Sequence, residues 1–165
     1  MLILTKIQKQ YGKNVVLREI NLQAANGSCV GILGGNGGGK TTLLSVLGGI
    51  LRPDGGSFTY DGEELFGHEA RRRALVGFSP QANPLMEELS GFDNLLLWHD
   101  RKAIERGMAE DGAITALGVT AFLKKPVAKL SGGMKKRLAL SIAVLRAPKI
   151  LLLDEPTAAL DMEGK

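Results

Sequence analysis

The most restrictive feature of the sequence is a glycine-rich loop between an apolar run and a helix. The loop reads GGNGGGKT over residues 34–41 and follows the apolar segment Cys29–Leu33. The next segment, Lys40–Leu51, contains no proline and carries leucines at helical spacing. The loop fits the pattern G-x-x-x-x-G-K-[ST], which predicts a phosphate-binding site when a strand precedes it and a helix follows.

Each residue type in this loop has a physical reason to be there. Glycines let successive N–H groups converge on phosphate oxygens, and the N-terminus of the following helix adds partial positive charge. Lys40 would neutralise the β- and γ-phosphates, and the Thr41 hydroxyl would coordinate Mg²⁺. The loop residues predicted to contact the nucleotide are Gly34, Asn36, Gly37, Gly38, Gly39, Lys40, Thr41 and Thr42.

A second group of residues completes such a site. The apolar run Ile150–Leu153 is typical of a buried parallel strand, and Asp154 and Glu155 follow it directly. Ligands of open α/β sheets bind at the carboxyl ends of strands. Asp154 would hold Mg²⁺ through a water, and Glu155 would polarise the attacking water. A flexible turn and a solvated strand end are the plainer explanations, but they do not explain both halves in one chain.

The remaining pattern predicts an α/β fold. Strand-like segments lie at Leu2–Leu4, Val15–Leu22, Ser57–Gly62 and Leu75–Phe78, and Tyr11–Asn14 is the predicted turn between the first two. The pattern is helical from Glu87 to Ala147, with breaks near Gly118 and at Lys125-Pro126. Ser131 is the predicted N-cap of a helix that runs to about Ala147, where Pro148 stops it.

The composition argues against a membrane-spanning chain and against a fold held by internal disulfides. The 165 residues carry 21 Lys or Arg against 17 Asp or Glu, so the net charge of +4 permits an anionic partner without demanding one. No stretch approaches the roughly 20 apolar residues that span a bilayer. The one cysteine, Cys29, has no partner for an internal disulfide, and we expect it to be a small core residue.

Basic clusters raise the alternative of nucleic-acid binding. They lie at Arg71–Arg73, Lys124-Lys125 and Lys135–Arg137, but the five Phe, two Tyr and one Trp residues do not alternate with them. We therefore expect these clusters to be solvated helix faces, and we expect no nucleic-acid partner.

Further motifs make the chain resemble the nucleotide-binding domain of ABC transporters. Leu130–Met134 reads LSGGM and is similar to the family signature LSGGQ. Gln81 matches the glutamine loop, and Ala159–Asp161 resembles the D-loop. Tyr11 lies where the family has an aromatic residue that stacks on adenine. These motifs follow the family's order and spacing over nearly the whole chain.

The resemblance implies a role for each matching residue. Glu155, Gln81 and Lys40 would be catalytic, and Thr41, Gln81 and Asp154 would hold Mg²⁺. In the family, ATP is sandwiched between the phosphate loop of one cassette and the signature serine of another. Besides the loop, the residues expected to contact ATP are Tyr11, Ser131, Gly132, Gly133 and Asp161. An ordinary N-cap remains the plainer explanation of Ser131 and of Asp161.

The resemblance also implies a domain organisation. We expect a P-loop NTPase with an N-terminal antiparallel β subdomain, a mostly parallel core sheet and a helical arm. The β and nucleotide-binding core would cover about 1–84 and 148–165, and the arm with the signature would cover 85–147. The family continues into further strands and a switch histidine, which neither His68 nor His99 matches. We therefore expect a C-terminally truncated cassette, with both histidines on the surface of the segment between Gly62 and Leu130.

These expectations favour the ATP-binding and ATP-hydrolysing subunit of an ABC transporter, and the stretch from Gly132 to Leu138 resembles the exporter subtype. Its partners would be a transmembrane permease subunit and a second cassette, on the cytoplasmic side of the membrane. A soluble translation-type ABC ATPase and a non-catalytic nucleotide-binding fragment remain alternatives. Repair types need a long coiled coil, which the 90 residues between Lys40 and Ser131 cannot hold.

Overall fold

The computed structural model of the protein describes residues 1–82 and 84–156. The chain divides into two compact units, Met1–Val76 and Gly77–Lys165. Strands and helices alternate as predicted for an α/β fold, and no helix in the described ranges is long and apolar enough to cross a bilayer. The elements in chain order are β1 (Leu2–Tyr11), β2 (Asn14–Ala24), α1 (Lys40–Gly48), β3 (Gly55–Tyr60), β4 (Glu63–Glu64), α2 (Glu69–Leu75), β5 (Val76–Ser79), α3 (Gly91–Leu96), α4 (Arg101–Gly107), α5 (Ala113–Ala116), α6 (Gly132–Val144) and β6 (Ile150–Leu153).

The first unit is built on a four-stranded antiparallel sheet in the order β2-β1-β3-β4. The β1–β2 hairpin closes at the Tyr11–Asn14 pair, which confirms the predicted turn. Leu4, Ile7, Leu17 and Phe58 are buried, because one face of each strand packs into the interior. The short strand β4 and helix α2 were not predicted, since segments this short carry little periodic signal.

Helix α1 begins at Lys40 as predicted but ends at Gly48, three residues early. Gly49 adopts a left-handed φ of 83° and caps the helix, a conformation that glycine adopts without strain. Its missing side chain also leaves room for Arg72, because a Cβ here would lie 2.3 Å from the Arg72 guanidinium. Arg72 is buried, so the prediction of a solvated face for Arg71–Arg73 is wrong at its middle residue.

The predicted strand before the glycine-rich loop is not formed. Residues 29–33 have no strand conformation, and they are exposed rather than buried, with Leu33 94% exposed. Cys29 is therefore not a core residue. An apolar strand of the parallel type needs hydrogen-bonded neighbours, and no described strand of this unit pairs with the segment.

The second unit combines a two-stranded parallel sheet, β5-β6, with a helical core. The predicted strands at Leu75–Phe78 and Ile150–Leu153 are both confirmed, the first shifted by one residue. Side chains from α3 to α6 and from the connecting turns form one apolar cluster. Its buried members are Leu95, Ile104, Ile114, Val119, Phe122, Leu123, Val127, Leu130 and Leu138.

Side-chain caps divide this helical region into short pieces. The hydroxyl of Ser90 and the carboxylate of Asp100 accept hydrogen bonds from backbone amides at the starts of α3 and α4. Ser131 caps α6 in the same way, as predicted, but α6 ends at Val144 rather than near Ala147. Ala147 has a positive φ of 49°, so the chain turns out of the helix before Pro148.

The residues that follow α3 form hydrogen bonds with the last turn of α6 and with Arg146 just beyond it. The His99 Nε2 lies 2.9 Å from the Ile142 carbonyl, and the Arg146 guanidinium donates to the Trp98 carbonyl at 2.8 Å. His99 is buried, with its Nδ1 unpartnered among the described residues, so the prediction that it lies on the surface is wrong. Burial lowers the pKa of His99 below 6.5, and the nearby Arg146 charge acts in the same direction.

We predict that this unit loses stability below pH about 6.5, because His99 takes up its proton more readily when unfolded than when folded. The hydrogen bond with the Ile142 carbonyl and, to a lesser extent, the Asp100 charge oppose the lowering of the His99 pKa without reversing it. The urea midpoint, followed by fluorescence of Trp98, should fall between pH about 7 and about 5. The fall should be smaller in His99→Gln, which keeps a donor for Ile142. Parallel profiles for the two proteins would contradict the prediction. Asp54 and Asp61 titrate below this window, since hydrogen bonding lowers each pKa from 3.8.

Candidate functional site

The glycine-rich loop forms a tight turn directly before α1. The Gly38 amide donates to the Gly35 carbonyl at 3.1 Å, and the Leu43 amide donates to the Gly39 carbonyl at 2.8 Å. Helix α1 has no side-chain cap and no acidic residue in its first turn. Its first amides are therefore left to bind an external acceptor, and the helix dipole favours a negatively charged one.

Lys40 places its ammonium group over this turn. Its Nζ donates to the carbonyl oxygens of Gly34 at 2.7 Å and of Gly35 at 3.0 Å. A cation next to unused backbone amides is the arrangement that binds the oxygens of a phosphate group. Thr41 and Thr42 follow in the first turn of α1, as predicted.

Gly39 is required by both its conformation and its surroundings. It has a left-handed φ of 84°, and a Cβ here would lie 3.0–3.2 Å from atoms of Val16 and Leu17 in β2. The loop therefore packs directly on β2. This strand follows the hairpin turn, and Tyr11 is the last residue of β1 before that turn. The Tyr11 ring is half-exposed at the end of β1, and the Lys9 ammonium lies 5.6 Å from its centroid.

In the second unit, the ends of β5 and β6 bring polar groups together. The Asp154 amide donates to the Ser79 carbonyl at 3.0 Å. Asp154 is 3% exposed, and its Oδ2 has no partner in the described part of the chain. A buried carboxylate oxygen without a donor is costly, and a divalent cation with its water shell would satisfy it. Asp154 thus fits the predicted role in Mg²⁺ binding.

Gln81 and Glu155 are the two predicted catalytic residues that the structure brings into contact. The Gln81 Nε2 donates to the Glu155 Oε2 at 2.9 Å, although 74 positions separate them in the chain. Glu155 is exposed and has a positive φ of 47°, a strained conformation that turns the chain sharply after β6. One Glu155 oxygen is tied to an amide, while the group remains open to water.

Lys136 is a residue of this region that the sequence analysis missed. It is 5% exposed, and its Nζ donates to the carbonyls of Pro80 at 3.2 Å and Asp154 at 3.3 Å. The prediction of a solvated face for the Lys135–Arg137 cluster is therefore wrong for Lys136. A signal was present, because Lys136 shares its helix face with Ala139 and Ala143, at i+3 and i+7, and both are buried.

The signature residues lie at the start of the same helix, α6. The Ser131 hydroxyl accepts from the Met134 amide at 3.3 Å, so Ser131 is an N-cap, and both Ser131 and Gly132 are exposed. Gly133 is partly buried in the first turn of α6. Asp161, the predicted D-loop residue, lies outside the described residues.

The comparison with protein families now decides the classification. Residues 17–158, most of the chain, match the ABC transporter family. The chain belongs to the ABC transporter family. This ABC cassette is 37% identical over its whole length to the Nod factor export ATP-binding protein I of Cupriavidus pinatubonensis, of which it covers 52%. It is also 38% identical, over 94% of its length, to the sulfate/thiosulfate import ATP-binding protein CysA of Bacillus cereus, of which it covers 45%.

A solved structure supports the same classification. The ABC cassette superposes on MJ0796, described as the dimeric structure of a bacterial ABC transporter cassette, with a TM-score of 0.79 and 27% sequence identity. The match covers 98% of this chain and 76% of that chain. The predicted family and the P-loop NTPase fold are confirmed. The chain spans about half the length of the curated relatives described above.

We predict that the loop of this ABC cassette tolerates a methyl group at Gly38 but not at Gly39. Gly39→Ala should lower the free energy of unfolding by about 1–3 kcal/mol, because it combines a left-handed φ with contacts to β2. Gly38→Ala should change it by less than about 1 kcal/mol, since only the Gly35 carbonyl must shift slightly. Urea unfolding without nucleotide tests both, and equal losses would contradict the prediction.

Proposed function

We propose that the protein is the ATP-binding and ATP-hydrolysing subunit of an ABC transporter, which drives transport through a separate membrane subunit. The contact between Gln81 and Glu155 carries this proposal, because it places a carboxylate base next to an amide at the end of β6. A module that only binds nucleotide has no need of a base at this position. Membership of the ABC transporter family supports the same function.

In this proposal the glycine-rich loop binds the triphosphate. The amides at the start of α1 and the Lys40 ammonium would hold the β- and γ-phosphates. Gly34, Asn36, Gly37, Gly38 and Gly39 shape the loop around them, and Tyr11 offers its exposed ring for stacking on the base.

A magnesium ion would be held by Thr41, Gln81 and Asp154. When bound, it would neutralise phosphate charge and stabilise the transition state of phosphoryl transfer. Glu155 would accept the proton of the attacking water, and the Gln81 amide would orient that carboxylate. Low water exposure at Asp154 would strengthen its interaction with a cation.

The working unit would contain two cassettes. The solved relative MJ0796 is dimeric, which supports a second cassette in this protein. Ser131, Gly132 and Gly133 at the start of α6 would contact the ATP of the other cassette, and Asp161 would lie at the same interface. Dimer formation on ATP, followed by hydrolysis, would drive the membrane subunit.

We infer export as the direction of transport, with the cassette bound to its permease on the cytoplasmic side of the membrane. The Nod factor export relative and the exporter-like stretch from Gly132 to Leu138 support this direction. In this proposal, about 1–84 and 148–165 would form the β and nucleotide-binding core, and 85–147 would form the helical arm.

The first test removes the loop cation. Lys40→Ala should weaken binding of a fluorescent ATP analogue by about 10- to 100-fold or more, since a charge-assisted hydrogen bond contributes about 1.5–3 kcal/mol. Lys102→Ala, at an exposed position on α4, is the matched control and should bind as wild type does. Unchanged binding by Lys40→Ala would refute the assignment of the loop.

The second test separates ATP binding from hydrolysis. Glu155→Gln keeps the shape of the side chain and removes the base, so ATP turnover should fall by at least about 100-fold while ATP still binds. ATP-bound dimers should accumulate and be visible by size-exclusion chromatography with multi-angle light scattering. Glu105→Gln on α4 serves as the control. A Glu155→Gln protein with wild-type turnover would exclude Glu155 as the base.

A further inference from the structure

The buried ammonium group of Lys136 has two backbone carbonyls as its hydrogen-bond acceptors. Both distances, 3.2 Å to Pro80 and 3.3 Å to Asp154, are at the long end of the range for such contacts. Burying an ammonium group is expensive, and two carbonyl contacts offset only part of that cost. An apolar side chain of similar volume would avoid the cost, so stability alone does not explain a lysine at this position.

The position of these two carbonyls suggests what the lysine does. Pro80 immediately precedes Gln81, and Asp154 immediately precedes Glu155. The two segments leave β5 and β6, where the Asp154 amide is already bonded to the Ser79 carbonyl. Lys136 therefore links the two segments by binding the residue that precedes Gln81 in one and Glu155 in the other. The side chains of Gln81 and Glu155 are themselves 2.9 Å apart.

We propose that Lys136 is a positioning residue, which holds the backbones of Gln81 and Glu155 at the spacing that their side-chain contact requires. Without the shared donor, each segment can relax separately, and Glu155 is already in a strained conformation with a φ of 47°. This inference rests on the proposed ATP hydrolysis, in which Glu155 acts on water.

Lys136 also places this link on the signature helix. It follows Ser131 by five residues, which is about 7.5 Å along α6 at 1.5 Å per residue. A shift of α6 caused by contact between Ser131 and ATP would thus also move Lys136, which holds the Gln81 and Glu155 backbones. The lysine connects the signature to the catalytic pair within one unit of the chain.

The test compares three variants of the full-length protein, purified with its membrane subunit. Lys136→Met keeps the aliphatic stem and removes the donor, and Lys136→Arg restores a donor. Lys135→Met is the matched control on the same helix, because Lys135 pairs with Glu87 at the surface. For each protein, kcat and KM for Mg-ATP and the thermal midpoint are measured beside wild type.

Lys136→Met should lower kcat by about 10- to 100-fold, because a misplaced base and amide lose most of their effect. KM should change by less than about 2-fold, as expected when a substitution removes an interaction that acts only in the transition state. The thermal midpoint should stay within about 3 °C of wild type, as expected when a buried charge is replaced by an apolar group. Lys136→Arg should regain most of kcat, and Lys135→Met should behave as wild type.

A double-mutant cycle separates positioning from a general structural effect. If Lys136 acts through Gln81, then adding Lys136→Met to Gln81→Ala should lower kcat by less than about 3-fold more. Losses that multiply would overturn the inference, as would a Lys136→Met protein with wild-type kcat beside an active wild type. A wild-type protein without ATP turnover would instead overturn the proposed function, and this inference with it.

Discussion

The hydrogen bond between the Asp154 amide and the Ser79 carbonyl is the point on which the second unit depends. It closes the sheet β5-β6 at the place where both strands end. Beyond this point β5 and β6 no longer pair with each other, and the polar groups of the segments that follow them are available for other contacts. The buried Asp154 carboxylate, the Gln81–Glu155 contact and the two Lys136 contacts all lie within two residues of it along β5 or β6.

The features predicted from sequence are those that local chemistry determines. The glycine-rich loop, the start of α1 and the Ser131 cap depend on residues within one or two turns of one another. The β1–β2 hairpin is likewise a short-range structure, and its turn was placed correctly. The family follows from motif order along the chain, which is also visible without a structure.

The features that could not be predicted depend on contacts between distant segments. Lys136 and Arg72 are buried because particular carbonyls and a glycine leave room for them, and basic composition alone suggests the surface. His99 is buried because α3 ends against α6. The apolar run at residues 29–33 has the composition of a strand, but strand formation needs a partner, and composition does not supply one.

In the proposed function, Lys40 would make phosphate binding an exchange reaction rather than a simple addition. Its ammonium already donates to two carbonyl oxygens, those of Gly34 and Gly35. A ligand must therefore replace these neutral acceptors before its contact with Lys40 contributes to the binding free energy. Hydrogen bonds to charged acceptors are roughly twice as strong as those to neutral ones. The net binding free energy from this exchange therefore increases with the charge on the ligand, and it is small for weakly charged anions. In the proposed function, this exchange would favour highly charged polyphosphates over weakly charged anions.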